Sequence, residues 1–341
     1  MTDNRLIIDG YADFLCGWGY IGKRRLARAL DLVHREAPAV EVQVRWRPYL
    51  IDPTAPQWSE SMAGILQQPE LAEELAGCGP GSAADNRLRA RDAAAQEGIE
   101  GDFGARWRAS SWAAHRLATA ALAHGPQVQD EVVEELYRLH FVEHRDLNDL
   151  GLLTALAERF RLPMPPGTGE LGAGLVYLQP GFEPDDPVER ATREALLTGR
   201  AIGVDTSPTF VINGRTAVAG AQPAELLADA ILAAPAAGRQ PEEVRRLRLA
   251  EALLDRKDPH GSLYLAEPLR REHPDDPNVR SLLARARAAS ASLAPARDTL
   301  AELVAQYPDD GYLRELYGRT LRRLGDPAAA RELALATALT S

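Results

Sequence analysis

Two apolar-rich runs, RLIIDGYADFL and VEVQVRWRPYL, flank one segment of helical pattern, so residues 1–54 read as β-α-β. Residues 55–200 are mostly helical in pattern, with breaks at GCGPGSAAD and PMPPGTGELG. A second β-rich stretch, SPTFVINGRTAVAG, follows. The next segment, AELLADAILAA, places Leu226, Leu227, Ala230, Ile231 and Ala234 on one helix face. APAAGRQP at 234–241 has the composition of a linker, and everything after it is helical in pattern and rich in Ala, Leu and Arg. This order predicts a small α/β sheet domain over 1–236. Its chain leaves after the second strand, forms a helical insertion over about 55–200, and returns to add two strands and a helix. A separate all-α region over 242–341 completes the chain.

The tail carries an internal repeat. His273-Pro-Asp-Asp recurs as Tyr307-Pro-Asp-Asp, 34 residues later, and the pairs Ala284-Arg285/Gly318-Arg319 and Ala296-Arg297/Ala330-Arg331 keep the same offset. That period is the tetratricopeptide length. The segment LYGRTLRRLGDPAAARELA resembles that family, with Gly318, Leu321, Gly325, Asp326 and Ala330 at its small, packing and turn positions and Pro274 and Pro308 closing units. One position departs, since Arg287 falls opposite Leu321. A degenerate first copy runs from about Glu242 to Pro274, which makes three helical hairpins. Each buries its face by stacking on the next. The resemblance implies either a concave surface for a protein or peptide partner, or a docking and dimerisation module for the first domain.

Composition narrows the classes. The 341 residues are 45% hydrophobic and 26% charged, which suits packed domains and excludes a mainly disordered chain. A net charge of −10 argues against general affinity for nucleic acid. No apolar run approaches membrane-spanning length, and the N-terminus lacks the basic and apolar regions of a secretory signal, so a cytoplasmic protein without membrane association is expected. Two cysteines, Cys16 and Cys78, exclude a disulfide framework and an all-cysteine zinc site. No metal and no tightly bound cofactor is expected.

Cys16 falls where a strand ends and a helix begins, in Asp13-Phe-Leu-Cys16-Gly-Trp-Gly-Tyr-Ile-Gly-Lys-Arg-Arg-Leu26. A thiol there meets the positive end of the helix dipole and the unpaired backbone N–H groups of the first turn, which favour the reactive thiolate. The second element is Thr206-Ser-Pro-Thr-Phe210, where Pro208, entering a strand, is a candidate cis-proline. It would stand opposite the helix start and present the backbone of Ser207 to an extended substrate.

These elements resemble the DsbA-like branch of the thioredoxin superfamily over residues 5–234. The closest likeness is to the FrnE-type group, related to 2-hydroxychromene-2-carboxylate isomerases and kappa-class glutathione transferases. CGWGYIGKRRL is similar to that family's CPWCYIGKRRL, and WRPYLIDPTAP, AHRL, GVDTSPTFVING and GAQP to its further motifs. The resemblance implies a thioredoxin fold and a nucleophilic role for Cys16, which would attack a disulfide to form a mixed disulfide. A second cysteine would then resolve it. Here Gly19 holds that second position, and Ser207 replaces the usual Val before the proline.

Three readings follow. Cys16 acts as a monothiol, with a low-molecular-weight thiol such as glutathione or mycothiol, or a protein thiol, as co-substrate. Alternatively, the groove binds a peptide or metabolite without redox turnover. In the third, the protein is a thiol-dependent isomerase or transferase. Trp18, Gly19, Tyr20, Ser207 and Pro208 are the candidate substrate-binding residues. Cys78, in a Gly-rich loop, is a candidate distant resolving thiol, or a loop thiol without a role. Lys23, Arg24 and Arg25 read as a solvated helix face. His140, Glu143 and His144 have the inverted zincin order and the spacing of one helix face, but with no third ligand in sight they are taken as ordinary helix or groove residues.

Overall fold

The computed structural model describes residues 5–56, 58–65, 67, 83–101, 103–104, 106–163, 186–235 and 240–340. Cys78 lies outside the described residues, and with it the expectation of a distant resolving thiol. The chain divides into two compact units, the larger made chiefly of residues before 236 and the smaller chiefly of residues after 239. No helix among the described residues is long and apolar enough to cross a membrane.

The first unit is built on a four-stranded sheet in the order β2-β1-β5-β6. β1 (Arg5–Ala12), α1 (Gly17–Glu36) and β2 (Glu41–Pro48) come first, and β1 pairs in parallel with β2, Ile8 facing Val44. On its other side β1 pairs antiparallel with β5 (Thr209–Ile212), which pairs with β6 (Thr216–Ala219). A central strand is covered on both faces, and Ile8, Tyr11 and Ala12 are buried accordingly. Gly10 lies opposite Trp46, and a Cβ there would stand 3.0 Å from the Trp46 ring, so the missing side chain makes room for the indole. The Trp46 Nε1–H donates to Asp130 at 2.8 Å. Asp9, the one acid of β1, bonds Arg45 directly opposite and Arg47 two residues on. Both arginines flanking Trp46 therefore serve the sheet.

The insertion contributes a short strand pair, β3 (Glu60–Ser61) with β4 (Trp107–Arg108), where the pattern reads as helical. Its helices are α2 (Met62–Ile65), α3 (Ala83–Gln96), α4 (Trp112–Leu122), α5 (Pro126–Phe141), α6 (Leu150–Arg159) and α7 (Pro187–Ala201). α4 and α5 pack on β2, while α8 (Ala224–Leu232) packs on α1. Leu117, Val132, Leu136 and Tyr137 share one core with Ile8, Ile21, Phe210 and Ile231. A fully buried charge cluster joins α4 to α7. Glu189 accepts from the Trp112 indole at 3.2 Å and pairs with Arg116 at 2.8 Å and with Arg193, whose guanidinium lies 5.6 Å above the Trp112 ring.

The second unit has six described helices: α9 (Glu242–Asp255), α10 (Pro259–Glu272), α11 (Pro277–Ala289), α12 (Leu293–Gln306), α13 (Gly311–Arg323) and α14 (Ala329–Thr340). They form three hairpins, each packed on the next. The recurring Pro-Asp-Asp has a local cause. Its second Asp is an N-cap: Asp276 accepts from Asn278 N at 2.8 Å and Asp310 from Leu313 N at 3.0 Å. Gly318 is small because a Cβ there would lie 2.8 Å from the Leu333 side chain on α14.

Candidate active site around Cys16

β1 ends at Ala12, and Asp13 begins a turn that feeds α1. The Cys16 N–H donates to the Asp13 carbonyl at 3.0 Å, and the Cys16 carbonyl accepts from Gly19 N at 2.9 Å and Tyr20 N at 3.4 Å. Cys16 is thus the N-cap of α1, with extended backbone and no side-chain capping bond. The residue is 7% exposed. Its Sγ–H donates to the carbonyl of Ser207 at 3.4 Å, across 191 positions of sequence.

The Ser207–Pro208 peptide bond is cis. The Ser207 hydroxyl accepts from Asp13 N at 3.0 Å, and Pro208 O accepts from Gly220 N at 2.7 Å, which ties this segment to both the thiol turn and the sheet edge. Gly22 lets Pro208 close on α1, since a Cβ at Gly22 would stand 2.6 Å from the proline ring. Cys16, Ser207 and Pro208 therefore form one group.

Asp13 organises this group from below. It is 1% exposed. Its carbonyl accepts from Cys16 N and from the Tyr137 hydroxyl at 3.2 Å, and its carboxylate accepts from Leu15 N at 3.1 Å and Ile51 N at 2.7 Å. His115 Nε2 lies 3.8 Å from that carboxylate and 3.1 Å from the Tyr49 carbonyl; a carbonyl only accepts, so Nε2 carries the proton. Burial pushes the Asp13 carboxyl up, but the bond and charge of His115, the Ile51 N–H and Ser111 outweigh it and hold the group below the ordinary 3.8.

The two glycines of Cys16-Gly17-Trp18-Gly19 are each covered by an aromatic side chain of the insertion. A Cβ at Gly17 would meet the Phe103 ring at 2.8 Å, and one at Gly19 would meet the Tyr137 hydroxyl at 2.6 Å. Phe103 stacks on Phe141 at 5.0 Å, and Tyr137 stacks on Tyr20 at 5.1 Å and 6°. Burial raises the Tyr137 phenol well above 10, with negative charge at Cys16, Asp13 and Glu134 acting in the same sense, so it stays a neutral donor. Trp18 is anchored by its indole N–H to Asn86 of α3 at 3.1 Å. The Tyr20 hydroxyl donates to Glu134 of α5 at 2.7 Å, and burial pushes it to about 12. Tyr20 thus bonds the insertion through its polar end.

The basic run after Cys16 is paired rather than a solvated face. Lys23 is buried between Asp130 at 2.9 Å and Glu134 at 3.1 Å, Arg24 bonds Glu134 at 2.6 Å, and Arg25 bonds Glu97 at 3.0 Å. The spacing of His140 and His144 also misleads. α5 ends at Phe141 and His144 has φ +54, so the two do not share a helix face. Burial brings His140 down to about 4. Among the described residues no group of three or more His, Cys, Asp or Glu could hold a metal ion.

Asp13, Tyr137 and Phe103 are the site residues that the motifs do not name. Gly19 is the signal for Tyr137 and Gly17 the signal for Phe103, each a small residue at a position that another group fills.

Residues 7–162 match the model of the DSBA-like thioredoxin domain, and residues 253–320 match a tetratricopeptide repeat model. No curated protein matches the chain. Among solved structures, the chain is similar to a probable DsbA oxidoreductase from Streptomyces coelicolor, at 24% identity and a TM-score of 0.50, over 66% of this chain and 88% of that one. It is also similar, at 18% identity and a TM-score of 0.34, to the cytosolic disulfide reductase DsbM from Pseudomonas aeruginosa with GSH, over 62% of this chain and 89% of that one. The chain carries a DsbA-like thioredoxin domain and, after it, a tetratricopeptide repeat region.

Proposed function

We propose that the first unit carries out thiol–disulfide exchange through Cys16 alone. The observation that supports this reading most directly is the thiol at the N-cap of α1, bonded to the Ser207 carbonyl beside Pro208, with glycine at the second position of the motif. Cys16 as thiolate attacks one sulfur of a disulfide, forms a mixed disulfide and releases the other sulfur as thiolate. A second thiol molecule then attacks the mixed disulfide and returns Cys16 to its starting state. Glutathione or mycothiol is the proposed small co-substrate, with a protein thiol as the other class, in a reducing compartment. Trp18 and the Ser207–Pro208 segment border the thiol and would contact the substrate. The repeat region, whose fold suits peptide or protein surfaces, would select the partner.

The test is a pH series of Cys16 alkylation together with incubation in glutathione disulfide, read by intact and peptide mass spectrometry. Alkylation is expected with a midpoint below the ordinary thiol value of ~8.5, and a glutathione adduct at Cys16 that Cys16→Ser removes. Turnover unchanged in Cys16→Ser sinks the assignment. A thiol that neither alkylates at low pH nor forms the adduct leaves a binding groove. Turnover of a thiol-conjugated substrate without net exchange points to an isomerase or transferase.

A further inference from the structure

We infer that Tyr137 occupies the place a second cysteine of the motif would need, and so closes the adjacent-thiol route for resolving a Cys16 mixed disulfide. The inference rests on the exchange reading above and extends it from what the motif lacks to what has replaced it. The absence of a side chain at Gly19 does not leave a void. The Tyr137 hydroxyl stands 2.6 Å from where a Cβ would be, the Tyr137 Cζ 3.4 Å and the Asp13 carbonyl 3.2 Å. A Cβ does not come within 3.0 Å of an atom it is not bonded to, so a cysteine at 19 needs this tyrosine to move.

Tyr137 has nowhere to go. It is 0% exposed. Its ring is stacked on Tyr20 and flanked by Phe14 at 5.3 Å, and its hydroxyl is held by the Asp13 carbonyl, the same oxygen that accepts from Cys16 N–H. The hydroxyl and the thiol turn are therefore fixed to one acceptor. Phe103 closes over Gly17 in the same first turn of α1, so neither glycine of the motif has space for a side chain. Tyr137 acts as a positioning residue. It shapes the turn that presents Cys16 and blocks the motif position from which an adjacent thiol could attack the Cys16 mixed disulfide. In the exchange proposed above, both steps are then intermolecular. Cys16–S⁻ plus RSSR gives Cys16–S–SR plus RS⁻, and an external thiolate R′S⁻ gives RSSR′ and regenerates Cys16–S⁻, with no net gain or loss of electrons by the protein.

The test restores the missing thiol in the full chain, as Gly19→Cys alone and as Gly19→Cys with Tyr137→Phe, which removes only the hydroxyl. Each variant is equilibrated in glutathione buffers, and peptide mass spectrometry quantifies the disulfide between Cys16 and the introduced thiol. The equilibrium constant for that disulfide is expected to be at least tenfold larger in the double variant; a smaller difference overturns the inference. If Gly19→Cys does not fold, Gly19→Ala is compared with Gly19→Ala/Tyr137→Phe by thermal melting. The alanine should lower the melting temperature much less once the hydroxyl is gone, and an equal loss in both backgrounds also overturns the inference. Adduct formation at Cys16 in the unaltered chain is scored separately. A chain that forms no adduct but shows the Tyr137 dependence loses the exchange reading and keeps only the placement of Tyr137 against position 19, and a chain that forms the adduct without that dependence keeps the exchange reading and loses this inference.

Discussion

His140 and Asp13 are both ionisable and both buried, and they lose their native protonation states in different pH ranges. Burial disfavours the charged imidazole, so His140 titrates at about 4 in the folded chain against 6.5 when exposed. A depressed value means that its contribution to stability is complete above 6.5 and is lost as pH falls toward 4, where the unfolded chain takes up a proton that the folded chain refuses. That difference corresponds to about 3 kcal/mol. Denaturant unfolding between pH 7 and pH 4 should show this loss, and His140→Gln should flatten the profile in that window. Asp13 is depressed as well, but from 3.8, so its share survives to lower pH and disappears only below the carboxylate range. At this scale the sequence is legible where chemistry sits in a local motif. Cys16 is found from the strand-to-helix junction, and Ser207 and Pro208 from the strand entrance. Asp13 and Tyr137 are not, because their roles depend on a carbonyl and a hydroxyl meeting across 124 residues, and no spacing rule reaches that far.

Among elements, the repeat hairpins show how a degenerate pattern still yields a regular structure. The turn inside each hairpin uses one left-handed residue: Lys257 at φ +66, Ala291 at φ +62 and Gly325 at φ +73. They follow the same period as the Pro-Asp-Asp signature, but only the last is the glycine that such a φ favours. This is why the final unit is the most legible in the sequence. The same holds at the helix starts. Asp276 and Asp310 cap α11 and α13, whereas α9 is preceded by Pro241, with no side-chain cap. In the first hairpin only the second helix, α10, has a side-chain cap, Asp258 accepting from Gly261 N at 2.8 Å, and α9 is held by its packing on α10. Ala291 therefore carries backbone strain that glycine would relieve. Ala291→Gly is expected to stabilise the chain by about 1 kcal/mol, read as a raised denaturant midpoint with an unchanged slope. A lowered midpoint would mean that the loss of chain entropy outweighs the relief. The charge runs were misread for a related reason. Lys23, Arg24 and Arg25 look like a solvated face when α1 is taken alone, but α5 supplies Asp130 and Glu134 for the first two, and Glu97, just after α3, pairs with the third.

At the scale of the whole molecule, the first unit depends on segments far apart in the chain. Glu189 shows the energetic side of this. It sits among Trp112, Arg116 and Arg193 with no exposure to water, so Glu189→Gln leaves two buried guanidinium groups short of a counter-charge. Removing one partner of a buried pair costs about 3–5 kcal/mol, and thermal or denaturant unfolding of the full chain should report a loss of that order. A loss below about 1 kcal/mol would show that Asp186, which also pairs with Arg116, carries most of the compensation. The division into a sheet domain with a helical insertion was readable from the order of patterns, because the strands keep their apolar runs on both sides of the interruption. The partners inside the insertion were not, because buried charges look like surface charges in a sequence. The same ordering bears on biosynthesis. Cys16 leaves the ribosome well before Ser207, whose carbonyl bonds the thiol and is made 191 residues later. At translation rates of about 5–20 residues per second, the nascent chain carries the Cys16 thiol without its Ser207 partner for roughly ten to forty seconds.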